Sequence, residues 1–253
     1  MLLENKNAVI YGAGGSIGGA VARAFAREGA RVHLAGRTLG SLEEVAEEIR
    51  AAGGTAETTQ VDALDETSVD EHADAVADGA GGIDVCLNAI SLEDVHGTPL
   101  VEMSLEVFER PIRNAVRTTF LTARAAARHM IRQGSGVILT FGGGGGRDPI
   151  RDYFIGGFQV ALGAIDFLRR QLATELGPHG IRVVTLESGG VLDAIPEDYE
   201  GRDRIVEMIV GATMLGRAAT LDDVGNVAAF AVSDQARAIT GSSINITCGT
   251  TVD

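Results

Sequence analysis

The sequence predicts one three-layered α/β domain, a doubly wound parallel sheet with helices on both faces. Short apolar runs alternate with longer segments of helical period along the whole chain, the pattern of successive βα units and the parallel sheet they build. The first apolar run empties directly into a glycine cluster that opens a helix, as strand-to-helix turns that hold phosphate do. No internal repeat, linker or low-complexity tail breaks the 253 residues, so one domain, residues 1–253, accounts for them.

The elements follow in order. Residues 7–11 are a buried strand, and 17–28 a helix with small residues toward the sheet, ended by Gly29. Residues 31–35 are a second strand, and 42–52 a helix stopped by Gly53-Gly54. Residues 56–61 are a third strand, 66–78 a helix closed by glycines, and 83–88 a fourth strand. A long helix rich in alanine and arginine spans 105–133, with Ser104 as its cap. Pro111 either bends that helix or marks its true start. A fifth strand at 136–141 leads through the glycine run 142–146 to a second long helix at 154–176. Residues 181–186 are a sixth strand, 202–212 and 221–233 shorter helices, and 243–247 the closing strand.

Composition narrows the partners. The formal charge is −14, and an acidic surface repels nucleic-acid backbones and anionic lipid. The two cysteines, Cys86 and Cys248, sit in apolar or small-residue runs, so no disulfide framework is expected and a reducing cytoplasm fits. The N-terminus starts almost on a strand, which leaves no room for a signal peptide, and no apolar run reaches membrane-spanning length. The only lysine in the chain is Lys6.

The loop Tyr11-Gly12-Ala13-Gly14-Gly15-Ser16-Ile17-Gly18 joins the first strand to the first helix. Glycines there let the backbone turn tightly and approach a pyrophosphate, while the helix N-terminus presents free N–H groups and partial positive charge. Its place in a first βαβ unit points to a Rossmann-type dinucleotide fold, the alternative being a tight turn with no ligand. Here the chain resembles the short-chain dehydrogenase/reductase family, whose loop reads Thr-Gly-x-x-x-Gly-x-Gly. Gly12 and Gly18 match, Tyr11 replaces the threonine, and Ser16 replaces the middle glycine. The resemblance covers essentially the whole chain. It includes Asp62, Asn88-Ala89, the segment 114–130 with Asn114, Gly177-Pro178-His179-Gly180-Ile181-Arg182-Val183 and Ile239-Thr240-Gly241. It implies a cofactor site of Gly12, Gly15, Ser16, Ile17, Gly18, Arg37, Thr38, Asp62, Ala63, Asn88, Ala89 and Val191. After the second strand an arginine and a hydroxyl, Arg37 and Thr38, stand where a carboxylate would bind the ribose of NAD. They suit a 2′-phosphate, so NADP is expected over NAD.

The resemblance also implies a catalytic tyrosine with a lysine four residues later, the charge of one lowering the pKa of the other. Counting back from Leu172-Ala173-Thr174-Glu175-Leu176-Gly177-Pro178 puts those positions on Phe158 and Leu162, and the family's serine near Gly145. None of the three functional groups is there. Arginine does not replace the lysine, because its guanidinium is bulkier and planar. Asn114 matches the catalytic asparagine. Tyr153 is the candidate substitute for the tyrosine, in the polar segment Arg147-Asp148-Pro149-Ile150-Arg151-Asp152-Tyr153, although five residues is about 500° around a helix and puts it on another face. Asp193 replaces a threonine that contacts the nicotinamide amide, which places a carboxylate beside the ring. His129 is expected at the surface, and Asp166 at an interface or in solvent. No metal-ligand spacing and no nucleophile elbow occurs.

Two readings stay open. One is an NADP(H)-dependent oxidoreductase of small hydrophobic carbonyl, alcohol or enoyl compounds with a non-standard proton donor. The other is a non-catalytic NADP(H)-binding pseudoenzyme, a sensor or partner subunit. Residues 191–216, with Ile195, Met208, Ile209 and Met214, are expected as a substrate lid. The two long helices, rich in alanine and leucine, are expected to build a homo-oligomer, a tetramer or dimer.

Overall fold

A computed structural model describes residues 1–143, 153–199 and 201–252. The chain begins β1 (Asn7–Tyr11), α1 (Ser16–Arg27), β2 (Arg31–Gly36), α2 (Leu39–Ala51), β3 (Thr55–Gln60), α3 (Glu66–Ala80) and β4 (Val85–Asn88). It continues with α4 (Leu105–Gln133), β5 (Gly136–Gly143), α5 (Phe158–Leu176), β6 (Ile181–Ser188), α6 (Arg202–Gly211), α7 (Leu221–Val232) and β7 (Ser243–Asn245). The seven strands form one parallel sheet in the order β3-β2-β1-β4-β5-β6-β7. The expected three-layered, doubly wound α/β domain is therefore the fold. The order reverses between β1 and β4: the chain leaves β1 for β2 on one side and returns to β4 on the other.

Strand alternation feeds two cores. In β1, Ala8 and Ile10 enter the core beneath α1, α2 and α7, and Val9 and Tyr11 the one beneath α3 and α4. Alanines and glycines let α1 and α7 approach closely: a Cβ on Gly225 would stand 2.9 Å from the Cβ of Ala24. Among the described residues no helix is long and apolar enough to cross a membrane.

Several boundaries and environments differ from expectation. α2 begins at Leu39, because Gly40 keeps ordinary negative φ and does not punctuate the helix. β5 and β6 pair for eight residues, through Gly143 and Ser188. α4 starts at Leu105 as expected, with the Ser104 side chain accepting from the Val107 N–H, and Pro111 lies inside it. α5 starts at Phe158, not 154. Gly156 takes φ +54°, and a Cβ on Gly157 would collide with the Phe108 carbonyl, so the backbone cannot become helical before this pair. His129 is buried, not at the surface, because α3 packs on α4: its Nε2 lies 2.8 Å from Asp74 Oδ1 and its Nδ1 2.6 Å from Arg132. Asp166 is half-buried and pairs with Arg169 and Arg170 on its own helix.

Candidate functional site

The glycine loop leaves β1 at the carboxyl edge of the sheet. Gly12 has φ +84°, and a Cβ there would come within 2.5 Å of the Ala89 carbonyl oxygen at the end of β4. Gly18 is as constrained, since its Cβ would collide with the Gly12 carbonyl. Gly15 has room, with its nearest atom 3.5 Å away, and it and Ser16 are exposed. The first backbone bond of α1 runs from the Gly19 N–H to the Gly15 carbonyl, 2.8 Å. The amides of Ser16, Ile17 and Gly18 thus precede it at a helix end with no acidic residue in its first turn. Closely packed glycine backbones beneath an open turn of helical amides fit a pyrophosphate.

At the ends of β2 and β3 the other expected residues collect. Arg37, Asp62, Ala63, Ile90, Glu93 and Asn114 surround a small cavity of about 20 Å³. The Arg37 guanidinium lies 2.9 Å from Glu93 Oε1, and its carbonyl accepts from the Gln60 amide at 2.8 Å. Thr38 is the extended N-cap of α2, its carbonyl accepting from the Ser41 hydroxyl. Asp62 Oδ1 accepts the Leu64 N–H at 3.0 Å.

The β4 end is built differently from a ligand-facing wall. The Asn88 amide lies on the Thr118, Thr119 and Thr122 hydroxyls of α4 at 3.2–3.5 Å, and its Oδ1 accepts the Ile90 N–H. Its side chain is thereby engaged in shaping the turn out of β4. The Ala89 N–H goes to the Tyr11 carbonyl. Asn114, buried in α4, donates to the Leu92 carbonyl at 3.2 Å. Val191, buried past β6, bridges to Ala219, away from the cavity beside Arg37.

Beyond Ala89 the chain crosses toward α5. The Gly97 N–H donates to the Phe154 carbonyl at 2.7 Å, tying this segment to the one ahead of α5. There His96 Nε2 lies 2.6 Å from Asp94 Oδ2. The Tyr153 ring meets the imidazole edge-on, centroids 5.3 Å apart, and Phe158 meets it at 5.5 Å. Burial acts to raise the Asp94 pKa, but the adjacent His96 imidazole outweighs it and holds the carboxyl below its usual value. The Tyr153 pKa is raised, by burial first and then by Tyr199 and Asp94. Leu162 is buried one turn into α5.

His96 and Asp94 are absent from the sequence expectations. Asp-x-His in a loop has no periodicity to mark it, and the usable signal was its place just after the fourth strand. Asp193 Oδ2 accepts the Leu221 N–H at 3.1 Å at the start of α7. Gly145, Asp148 and the rest of 144–152 lie outside the described residues. Lys6 is at the opposite end of β1, 3.5 Å from Asp84. Among the described residues no group of three or more His, Cys, Asp or Glu side chains has metal-binding geometry. A larger cavity of about 390 Å³, lined by His33, Glu57, Gln60, Ser68 and His72, opens between β3 and α3. It includes neither the glycine loop nor the segment after β4, so the glycine cradle is the candidate site despite its smaller hollow.

Residues 12–251 match the family model described as enoyl-(acyl carrier protein) reductase. An uncharacterised oxidoreductase of Bacillus subtilis (strain 168), YxbG, is 33% identical over 248 residues, 96% of this chain and 89% of the relative. The crystal structure of a short-chain type dehydrogenase/reductase from Mycobacterium marinum superposes with a TM-score of 0.89 at 31% identity, over 99% of this chain and 97% of that one. That of a short chain dehydrogenase from Burkholderia cenocepacia J2315 in complex with NADP superposes with a TM-score of 0.85 at 27% identity, over 99% of both chains.

Proposed function

The chain belongs to the short-chain dehydrogenase/reductase family, through the enoyl-(acyl carrier protein) reductase model it matches, and we propose that it is an NADP(H)-dependent oxidoreductase with a non-standard proton donor. The observation that carries this reading is the cradle, in which Gly12 and Gly18 admit no side chain below the open amides of Ser16, Ile17 and Gly18. In our reading these residues take the pyrophosphate, Arg37 and Thr38 the 2′-phosphate, and Asp62 and Ala63 the adenine. Ala89 and Val191 would flank the rest of the dinucleotide. The NADP complex of the Burkholderia cenocepacia relative supports the choice of cofactor. When bound, the nicotinamide supplies or accepts a hydride. The usual tyrosine–lysine pair does not supply the proton, because Phe158 and Leu162 occupy its places and the only lysine is tied to Asp84 at the far end of β1.

Small hydrophobic carbonyl, alcohol or enoyl compounds are the substrate class, beneath a lid over 191–216. Ile209 packs on Gly190, Met214 backs Gly249, and Met208 is partly exposed. Calorimetry with NADPH and NADH, followed by NADPH oxidation over a panel of diketones, quinones and enoyl thioesters, tests the reading. Failure to bind either dinucleotide rejects it. The second reading, a non-catalytic NADP(H)-binding pseudoenzyme, draws on the apolar Leu162 in α5. Tight binding with no turnover across the panel would favour it.

A further inference from the structure

Ligands of open α/β sheets lie in the crevice outside the carboxyl ends of the strands, where the strand order reverses. In this chain that point is between β1 and β4, and two segments meet there. One is the glycine loop. The other begins at Ala89, whose carbonyl faces Gly12. From there it passes the Arg37–Glu93 contact and the Asn114–Leu92 bond. It ends with His96 among Asp94, Tyr153 and Phe158. An imidazole is thus carried from the edge of the cradle to the start of α5.

We propose that His96, held against Asp94, exchanges the proton with the substrate oxygen. The inference rests on the oxidoreductase reading above. Histidine is the side chain whose ordinary pKa suits proton exchange near neutrality. Nε2 is buried and close to Asp94 Oδ2, in a contact too bent to be an aligned hydrogen bond. No described residue hydrogen-bonds Nδ1, and Nδ1 is not among the buried unpartnered atoms. The exchangeable proton within reach is therefore the one on Nδ1. Tyr153 is the weaker candidate, since burial, Tyr199 and Asp94 all make its hydroxyl harder to ionise. It and Phe158 wall the imidazole instead. Among the described residues, the titratable groups facing His96 are Asp94 from its own segment and Tyr153 from the segment ahead of α5, with Tyr199 acting on Tyr153.

In the reducing direction the Nδ1–H bond breaks and an O–H bond forms on the substrate. The N–H electron pair stays on the ring, and a bound reduced dinucleotide would supply the hydride, with its two electrons, to carbon. Imidazolium becomes neutral imidazole and regains its proton from water. A carbonyl, a proton and NADPH give an alcohol and NADP⁺, and alcohol oxidation is the reverse.

The test uses the full chain with and without NADPH. The ¹⁵N-edited imidazole spectrum is assigned by loss of one signal in His96→Asn. Asp94→Asn is expected to shift the His96 ring resonances, because the carboxylate lies 2.6 Å from Nε2. With a diketone, His96→Asn is expected to lower kcat by about 10²-fold or more, with NADPH affinity and circular dichroism unchanged. Asp94→Asn should keep part of the rate. Wild-type turnover that survives His96→Asn within about threefold, with the same pH limb, overturns the inference and leaves the oxidoreductase reading standing. So do His96 ring resonances indifferent to Asp94→Asn. Wild-type protein that binds NADPH but turns nothing over, or binds none, overturns both.

Discussion

Arg37 Nη2 and Glu93 Oε1 stand 2.9 Å apart beside the small cavity at the end of β2. Both side chains are largely exposed, so the pair itself is worth only about 0–1 kcal/mol, and a doubly charged phosphate can displace the carboxylate. Glu93→Gln is expected to tighten NADPH a few-fold by removing a like charge, with little effect on NADH. Arg37→Ala should weaken NADPH by roughly 1–3 kcal/mol more than NADH. Titration calorimetry with both dinucleotides reads the difference, and equal losses would reject the 2′-phosphate role.

The glycine cradle can be probed without a ligand. Gly12→Ala puts a side chain at φ +84° against the Ala89 carbonyl, whereas Gly15 has open space and φ −89°. A cost of about 2 kcal/mol or more corresponds to a Tm drop of at least about 4 °C for a chain of this size. Thermal melts should show that loss for Gly12→Ala and almost none for Gly15→Ala. Equal melting of the two variants would contradict the close approach of the loop to β4.

His72 makes the fold acid-sensitive. It is buried between Tyr11, whose hydroxyl lies 3.1 Å from Nδ1, and His33, and burial first and then His33 lower its pKa from 6.5 to about 4. Above pH 6.5 neither the folded nor the unfolded chain protonates it. Between there and about 4 the unfolded chain binds a proton that the folded chain refuses, so stability falls as pH drops through that window. The loss approaches about 3 kcal/mol at the acid end. Urea unfolding at pH 7.5 and pH 5 should show a smaller decline for His72→Gln than for wild type.

α4 and α5 turn apolar side chains outward, among them Phe120 and Phe167, each with an arginine over its ring. Such surface on paired helices is expected to be covered by a second copy. Light scattering at micromolar concentration should give a dimer or tetramer mass, lowered in Phe120→Asp with Phe167→Asp. A monomer mass for wild type would overturn this.

The two thiols should separate cleanly. Burial pushes Cys86 up to about 12, while Cys248 is only partly buried. A thiol reagent at pH 8 is expected to titrate one cysteine within minutes and the second only in denaturant.

What the sequence made legible was whatever periodicity and punctuation encode. Every β-strand and α-helix among the described residues is legible to within a few residues, because alternation and 3.6-residue repeats survive any tertiary context. Its errors were contacts across elements. The start of α5 depends on the Phe108 carbonyl of α4 lying against Gly157, and the burial of His129 depends on α3 supplying Asp74. The bond from the Leu221 amide to Asp193 is likewise a contact across elements, 28 residues apart in sequence. His96 went unnoticed for a related reason: its partners come from its own loop and from residues 57 and 62 positions later.

Lys6 gives the molecule a chemical polarity. Apart from the chain terminus it is the only primary amine in the sequence, and it sits at the foot of the sheet, on the opposite end of β1 from the glycine loop. Amine-directed dyes, cross-linkers and activated surfaces will therefore attach at that foot. A protein coupled in this way will stand with its cradle outward, so immobilised binding measurements need no engineered tag.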